Sequence, residues 1–259
     1  MQAPGKTKTG RLWTYVASGI NSVACTIYQY SPNRKSEHPL EFLKNYKGFV
    51  QADAYSGYDK LFTDGNIIEV GCWAHSRRKF FEISEAVKGC DTLANDALDF
   101  IRELYKIDKH SKSLSSIQER YNYRKIHSEP ILDKFSAWLT LKQDTVLPKT
   151  PIAKAINYTL NNWEALARVI SHEALELDNN RAERSIKPIV IGRKNWLFTG
   201  SDKGGKNAAI LYSLIESCKQ NNVNTFKYLA DVLERLPTCL YNDIDQLLPY
   251  NWKPPPEPD

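Results

Sequence analysis

No apolar run in the 259-residue chain approaches the length of a bilayer span, and the first residues lack the apolar core of a secretion signal. Cysteine is sparse. Cys25, Cys72, Cys90, Cys218 and Cys239 are odd in number, scattered and free of C-x-x-C spacing, which speaks against a disulfide framework. Glycine (12) and proline (13) are too few for a fibrous or disordered chain, and no internal repeat is visible. Acid is missing from the beginning of the chain: no Asp or Glu precedes Glu37, while Lys6, Lys8 and Arg11 make that end basic. These absences leave a soluble, intracellular globular protein of one or two domains as the expectation.

What is present is unevenly charged. The net charge of +5 is modest, so its distribution carries the information. Arg77, Arg78 and Lys79 form one basic block. Arg184, Lys187, Arg193, Lys194, Lys203 and Lys206 form another, against the single acid Asp202. After Leu229 the chain turns acidic through Asp231, Glu234, Asp243 and Asp245. Basic patches of this kind favour a polyanionic partner such as DNA over a membrane surface.

Along the chain, residues 12–17 and 23–30 are β-rich runs separated by Ser18-Gly19-Ile20-Asn21, which predicts a hairpin. Pro32, Asn33 and Ser36 open a short helix carrying Leu40, Phe42 and Leu43. Residues 48–53 read as a third strand ending on Asp53, then a short helical piece follows Tyr55, and residues 67–73 read as a fourth strand. Strands alternating with helices place this part in the α/β class. Beyond Trp73 the periodicity is helical. Phe80, Phe81, Ile83 and Ala86 share one expected apolar face, and Leu93, Ala97, Ile101, Leu104 and Tyr105 share another. Helices continue over residues 117–141 and from Pro151 to Ile170, as if inserted between two halves of something else. A further helix carries Glu183, capped by Asp178 or Asn179 and kinked or ended at Pro188. A glycine-rich turn over residues 200–205 precedes a helix over 207–218, and the proline-rich end reads as an extended tail.

Two carboxylates stand out. Asp53 ends a predicted strand, where α/β sheets present side chains to ligands. Glu183 sits among Arg181, Arg184, Lys187, Arg193 and Lys194, an odd place for an acid unless it does more than solubilise. Carboxylates converging from a strand end and a helix suit two-metal phosphoryl transfer, with Mg²⁺ favoured for its preference for a few carboxylates and substrate phosphates. The plainer alternative is that Asp53 caps its turn and Glu183 pairs with Arg181 or Arg184.

The segments QADAYSGY (51–58), CWAHSRRKF (72–80) and NNRAERSIKPIVIGRKNWLFTGSDKGG (179–205) resemble the catalytic core of bacterial transposases of the insertion-sequence-sixty-six family. NVNTFKYLADVLERLP (222–237) and IDQLLPYNW (244–252) resemble that family's C-terminal element. The resemblance implies an RNase H-like fold and an Asp-Asp-Glu triad holding two Mg²⁺ or Mn²⁺ ions. Its second acid falls on Asp53 and its third on Glu183. The family's first aspartate lies just before the segment that here reads GKTKTGRLWTY, and nothing acidic occurs there. The expectation is therefore an RNase H-like core without its first strand: residues 1–86, a large all-helical insertion at 87–170, a second core part at 171–219 carrying Glu183, and a C-terminal tail at 220–259. A fragment with two of three carboxylates is expected to be inactive in strand cleavage. The implied setting is the bacterial cytoplasm and nucleoid, with transposon-end and target DNA as partners and a homo-oligomer as the active form.

Lesser motifs fill in the DNA surface. His75, Arg77, Arg78 and Lys79 follow the strand beside the one carrying Asp53 and are expected to meet DNA phosphates. Arg184, Lys187, Arg193, Lys194 and Trp196 are expected to do the same on the Glu183 side, with Trp196 offering either a stacking surface or core packing. Cys72 and His75 have the spacing of half a zinc site, but no second pair follows in register. Gly200 to Lys206 matches part of a nucleotide-phosphate loop, although Asn207 stands where a Ser or Thr should hold Mg²⁺. Two rivals to a transposase core follow: a non-catalytic DNA-binding remnant, and a nucleotide hydrolase using the loop before Lys206.

Overall fold

β-branched and aromatic residues in alternation build the first paired strands. β3 (Arg11–Ala17) and β4 (Cys25–Ser31) run antiparallel, with Trp13 opposite Gln29 and Tyr15 opposite Ile27. The expected hairpin is present; its turn lies outside the residues described by this computed structural model, which are 2–3, 6–17, 23–87 and 92–255. Two shorter strands, β1 (Gln2–Ala3) and β2 (Lys6–Thr7), pair antiparallel before it. A third pair, β5 (Gly48–Gln51) and β6 (Ile67–Val70), is parallel. Helices predominate elsewhere, so the chain is α/β with small sheets.

The chain divides into two compact units. The hairpin unit comprises Met1–His38 with Arg181–Asp259, and the helical unit is Pro39–Asn180. α1 (Glu37–Leu43) carries the chain from one to the other.

In the helical unit, α2 (Trp73–Ala86), α3 (Leu93–Ser111), α4 (Ile117–Gln143), α5 (Pro151–Asn161) and α6 (Trp163–Ala167) surround one apolar core. Local chemistry sets their ends. Ser116 and Glu119 form a reciprocal capping box at the start of α4, and Thr150 caps α5 ahead of Pro151. Aromatic rings fill the centre: Phe135 lies 4.9 Å from Phe100 and 6.0 Å from Trp73, both stacked, and Trp163 meets Trp73 edge-on at 5.9 Å. The Trp73 indole N–H donates to the Leu166 carbonyl at 3.0 Å, so this fully buried ring leaves no donor unsatisfied. Arg124, also buried, donates to the carbonyls of Leu175 (2.5 Å) and His172 (2.6 Å), tying α4 to the segment that leads toward Glu183.

Two strand ends differ from the sequence reading. β5 stops at Gln51, two residues short of Asp53. β6 stops at Val70, so Trp73 is the first residue of α2 rather than the last of a strand, with Cys72 at the cap position. Phe81 does not share the buried face of α2: it is 41% exposed, whereas Phe80 is fully buried.

The hairpin unit is completed by α7 (Asn180–Ser185), α8 (Lys187–Trp196), α9 (Asp202–Gln220) and α10 (Thr225–Arg235). The helix carrying Glu183 ends at Ser185, and Pro188 belongs to the first turn of α8, where its missing N–H costs nothing. Among the described residues β4 has a partner strand on one edge only, and the polar face of α9 serves the other edge. Ser213 Oγ accepts from Tyr28 N–H (2.8 Å). Ser217 Oγ accepts from Thr26 N–H and donates to Thr26 O (both 3.2 Å), and the Asn221 amide donates to Ala24 O (2.8 Å). A helix side thus does for the strand edge what another strand would.

The glycine-rich stretch is not a loop. Ser201 caps α9, its Oγ accepting from Gly204 N–H at 3.0 Å, and Gly204, Gly205 and Lys206 are already helical. The glycines are needed for close approach: a Cβ on Gly204 would stand 2.0 Å from Thr199 O, and one on Gly205 2.5 Å from the Tyr30 ring. Ahead of the proline run, Trp252 packs edge-on against Tyr228 (5.7 Å) and its indole N–H donates to Asp231 (2.7 Å), while residues 256–259 of the expected tail lie outside the described residues.

Candidate functional site

Asp53 lies in the helical unit, half-buried, just past the end of β5. Ala52 N–H still donates to Val70 O at 3.1 Å, and Ala54 then adopts φ 57°, so the backbone turns sharply immediately after the carboxylate. A left-handed alanine costs about 1 kcal/mol or more, so the turn is held by its surroundings. Asp53 does not stand alone. The Tyr158 hydroxyl is pushed up to about 12, first by burial and then by Cys72, Asp53 and Glu69, which places all four in one electrostatic neighbourhood. The Lys79 ammonium sits 4.3 Å from the centre of the Tyr158 ring. Burial, aided by Asp59 and opposed by Arg168, also raises Glu69 above the ordinary carboxylate range.

His75, Arg77, Arg78 and Lys79 all belong to the first two turns of α2, the three cations exposed and His75 half-buried. Cys72, at the cap of that helix, is buried; its thiol is raised by desolvation and accepts from Asn179 N–H at 3.5 Å. Its surroundings are those of a thiol packed as a small hydrophobe. Cys90 lies outside the described residues. Tyr105 and Asp178 escaped the sequence reading as site residues. Tyr105 donates to one oxygen of Asp178 at 2.8 Å, and the other accepts from Asn180 N–H at 3.1 Å. Asp178, one of the two residues expected to cap the Glu183 helix, thus accepts from the N–H of that helix's first residue, and it is shared with a tyrosine from α3 that no local signal announces.

In the hairpin unit, Glu183 occupies the middle of the six-residue α7, half-buried between exposed Arg181 and Arg184. The helix end is anchored: Tyr28 on β4 donates its hydroxyl to Ser185 O, and Ser185 Oγ donates to Ala182 O at 2.6 Å. Lys187, Arg193 and Lys194 are exposed along α8. Trp196 is half-buried against the cluster of Tyr28, Ile189 and Ala209, and its indole N–H donates to the Tyr212 hydroxyl at 3.2 Å. The structure thus gathers Glu183 and the second basic block in one unit, and Asp53 and the first basic block in the other. Among the described residues, no three His, Cys, Asp or Glu side chains gather into a metal-binding group. None of the helices is long and apolar enough to cross a membrane.

Comparison with known proteins gives these two blocks a context. The model for the Transposase IS66 family matches residues 1–207, and that for the IS66 C-terminal element matches residues 213–250. The chain belongs to the IS66 transposase family. Three proteins of Sinorhizobium fredii, all described as uncharacterized, are similar to it. The protein y4hP is 32% identical over 98% of this chain and 49% of its own length. For y4jD the figures are 31%, 87% and 45%, and for y4qI they are 30%, 97% and 49%. The chain spans about half the length of these relatives. No solved structure gives a significant match.

Proposed function

We propose that the chain is part of the catalytic region of an IS66-type DNA transposase, acting in metal-dependent cleavage and transfer of DNA strands. Asp53 and Glu183 supply two of the three carboxylates. Family membership over nearly the whole chain carries this reading, with the two acids standing in the segments that resemble the family's catalytic motifs. The RNase H-like arrangement, the convergence of Asp53 with Glu183, and the division into core parts (1–86, 171–219), helical insertion (87–170) and C-terminal element (220–259) belong to the same proposal. So do a homo-oligomeric active form and a nucleoid location.

The donor chemistry suits a hard divalent cation, since carboxylate oxygens are what Mg²⁺ and Mn²⁺ take. The described residues nevertheless supply no set of three ligands. When bound, such ions polarise the scissile phosphate and stabilise charge on the entering and leaving oxygens. The side chains of this chain do the rest. The backbone turn at Ala54 fixes where the Asp53 carboxylate emerges, and the Tyr28 contact to Ser185 fixes the end of the Glu183 helix. Arg77, Arg78 and Lys79, and Arg184, Lys187, Arg193 and Lys194, neutralise and orient phosphates. Half-buried Trp196, already engaged with Tyr212, stiffens the helix that carries the second basic block.

The test uses DNA bearing an element end, with Mg²⁺ or Mn²⁺. The 259 residues alone are expected to bind without cutting. A longer protein that adds an aspartate-bearing segment ahead of them is expected to cut, and Asp53→Asn or Glu183→Gln should each lower its rate by about 10³-fold or more, the scale of several kcal/mol of lost charge stabilisation. Cleavage that survives both substitutions would falsify the assignment.

A further inference from the structure

The helical unit also carries a depression between α2 and α3, lined in part by Arg77 and Arg78, for which the proposed function names no particular form of DNA. Two adjoining hollows, of about 430 and about 290 Å³, share Arg77, Phe81 and Tyr105. Arg78 and Asp178 also line the larger, and Arg102 the smaller, so guanidinium groups stand at three points along the groove, that of Arg102 paired with the exposed Asp99. Phe81 stands where the hollows meet. It is 41% exposed, with the Arg77 guanidinium 5.1 Å from its ring centre, while its neighbour Phe80 supplies the buried contact on this helix. An aromatic ring left open between cations is poor core material and a good stacking surface.

The polar groups are fixed rather than loose. Asp178 is held by Tyr105 and by Asn180 N–H, so its carboxylate is an immobilised acceptor in the larger hollow. Burial, then Asp178, raises the Tyr105 hydroxyl well above its ordinary value, which keeps it protonated as the donor of that pair. Charge for a backbone, an open ring for a base and a fixed acceptor for an amino edge together describe one strand, not two. In a duplex the base faces are covered by their neighbours and cannot reach a ring inside a hollow of this size.

We propose that the α2–α3 groove binds unpaired DNA, with a base stacked on Phe81, the adjoining phosphates on Arg77, Arg78 and Arg102, and Asp178 reading a base amino group. The proposal rests on the reading of the chain as a DNA-acting protein and names the form of DNA that this face takes. The groove would hold strand ends opened around a cleavage site.

Fluorescence anisotropy of the full chain distinguishes the possibilities, using a labelled single strand, the same strand made abasic, and a duplex, at two salt concentrations. Phe81→Ala should weaken binding of the intact single strand about tenfold, within the range expected for losing one stacked base, and change duplex binding less than about twofold. Arg102→Gln should weaken intact and abasic strands alike and reduce the salt slope by about one. Phe81→Leu, which keeps an apolar side chain without a stacking face, should behave as Phe81→Ala and so separates stacking from packing. An equal loss on intact strand, abasic strand and duplex overturns the groove proposal, as does no loss on any of them. Duplex binding with no single-strand binding sinks it while leaving the wider reading intact. Failure of the unsubstituted chain to bind any form of DNA sinks both.

Discussion

The two units are held together by different physics. The helical unit is built around one continuous core in which Trp73, Phe100, Phe135 and Trp163 touch in pairs, with polar side chains such as Arg124 and Gln51 bonded to backbone carbonyls around it. Among its described residues the hairpin unit has two small apolar clusters, around Tyr28 and around Tyr228, and joins strand to helix through serine and asparagine side chains bonded to backbone. Apolar packing is tolerant of sequence so long as volume is kept, whereas a side chain bonded to one strand-edge amide has a single workable position. The difference implies that damage to the helical unit spreads through its core, while damage to the hairpin unit stays at the bond removed.

The largest effect should come from emptying the aromatic core. Phe135 is fully buried between Phe100, Trp73 and Trp163. Phe135→Ala should cost about 3–5 kcal/mol in chemical denaturation, the range for truncating a buried aromatic. Hydrogen exchange should rise across α3, α4 and α5 together and far less across β3 and β4. A uniform rise over both units would show that they share one cooperative transition, and the comparison would then fail.

A smaller and more local loss is expected from Ser217→Ala. Thr26 is fully buried, and both its N–H and its carbonyl are served by Ser217 Oγ. Removing that oxygen leaves buried backbone groups unsatisfied, at a cost of about 1–3 kcal/mol. Exchange should accelerate at Thr26 and its neighbours on β4 while the helical unit is unchanged. Ser213→Ala removes only the acceptor for Tyr28 N–H and should cost less. If the two variants cost the same, the pairing at Thr26 is not the stronger clamp.

Much of this architecture could be read from residue order alone, and the exceptions share a cause. The hairpin, the helical middle and the start of α5 at Pro151 follow from local patterns that local structure obeys. The strand ends did not, because Cys72 and Trp73 are good strand residues, yet Trp73 begins a helix whose side chains meet a core visible only in three dimensions. Gly204 and Gly205 read as a phosphate loop because glycine usually marks backbone freedom. Here it marks space, for Thr199 O and the Tyr30 ring occupy the positions where side chains would be. Ser213, Ser217 and Asn221 form a visible helical stripe, but its meaning depends on a strand nearly two hundred residues away in sequence. Of the candidate acids, Asp53 had a local signal in the strand before it, while Glu183 stood out only by its basic surroundings. The reading of the two as partners came from resemblance.

The smallest effect separates the units by pH. Burial, reinforced by the charge of Glu216, raises the Tyr28 hydroxyl to about 12 from its ordinary 10.0. Between those values the folded chain keeps a proton that the unfolded chain has released, so stability falls as pH rises through that window and is fully retained below about 10. Tyr158 in the helical unit, also raised to about 12, loses its contribution over the same interval. Tyr28→Phe removes one of the hairpin unit's own contributions, where burial also raises Tyr30, Tyr228 and Tyr250. The variant should begin less stable at pH 9, having lost the bond to Ser185 O, and then lose less stability than the unsubstituted chain between pH 10 and 12. Urea titrations at unit pH steps measure both terms. Parallel pH dependences for the two proteins would mean that Tyr28 ionises in the folded state as it does in the unfolded chain, and that its burial places no constraint on the strand from which it anchors the Glu183 helix.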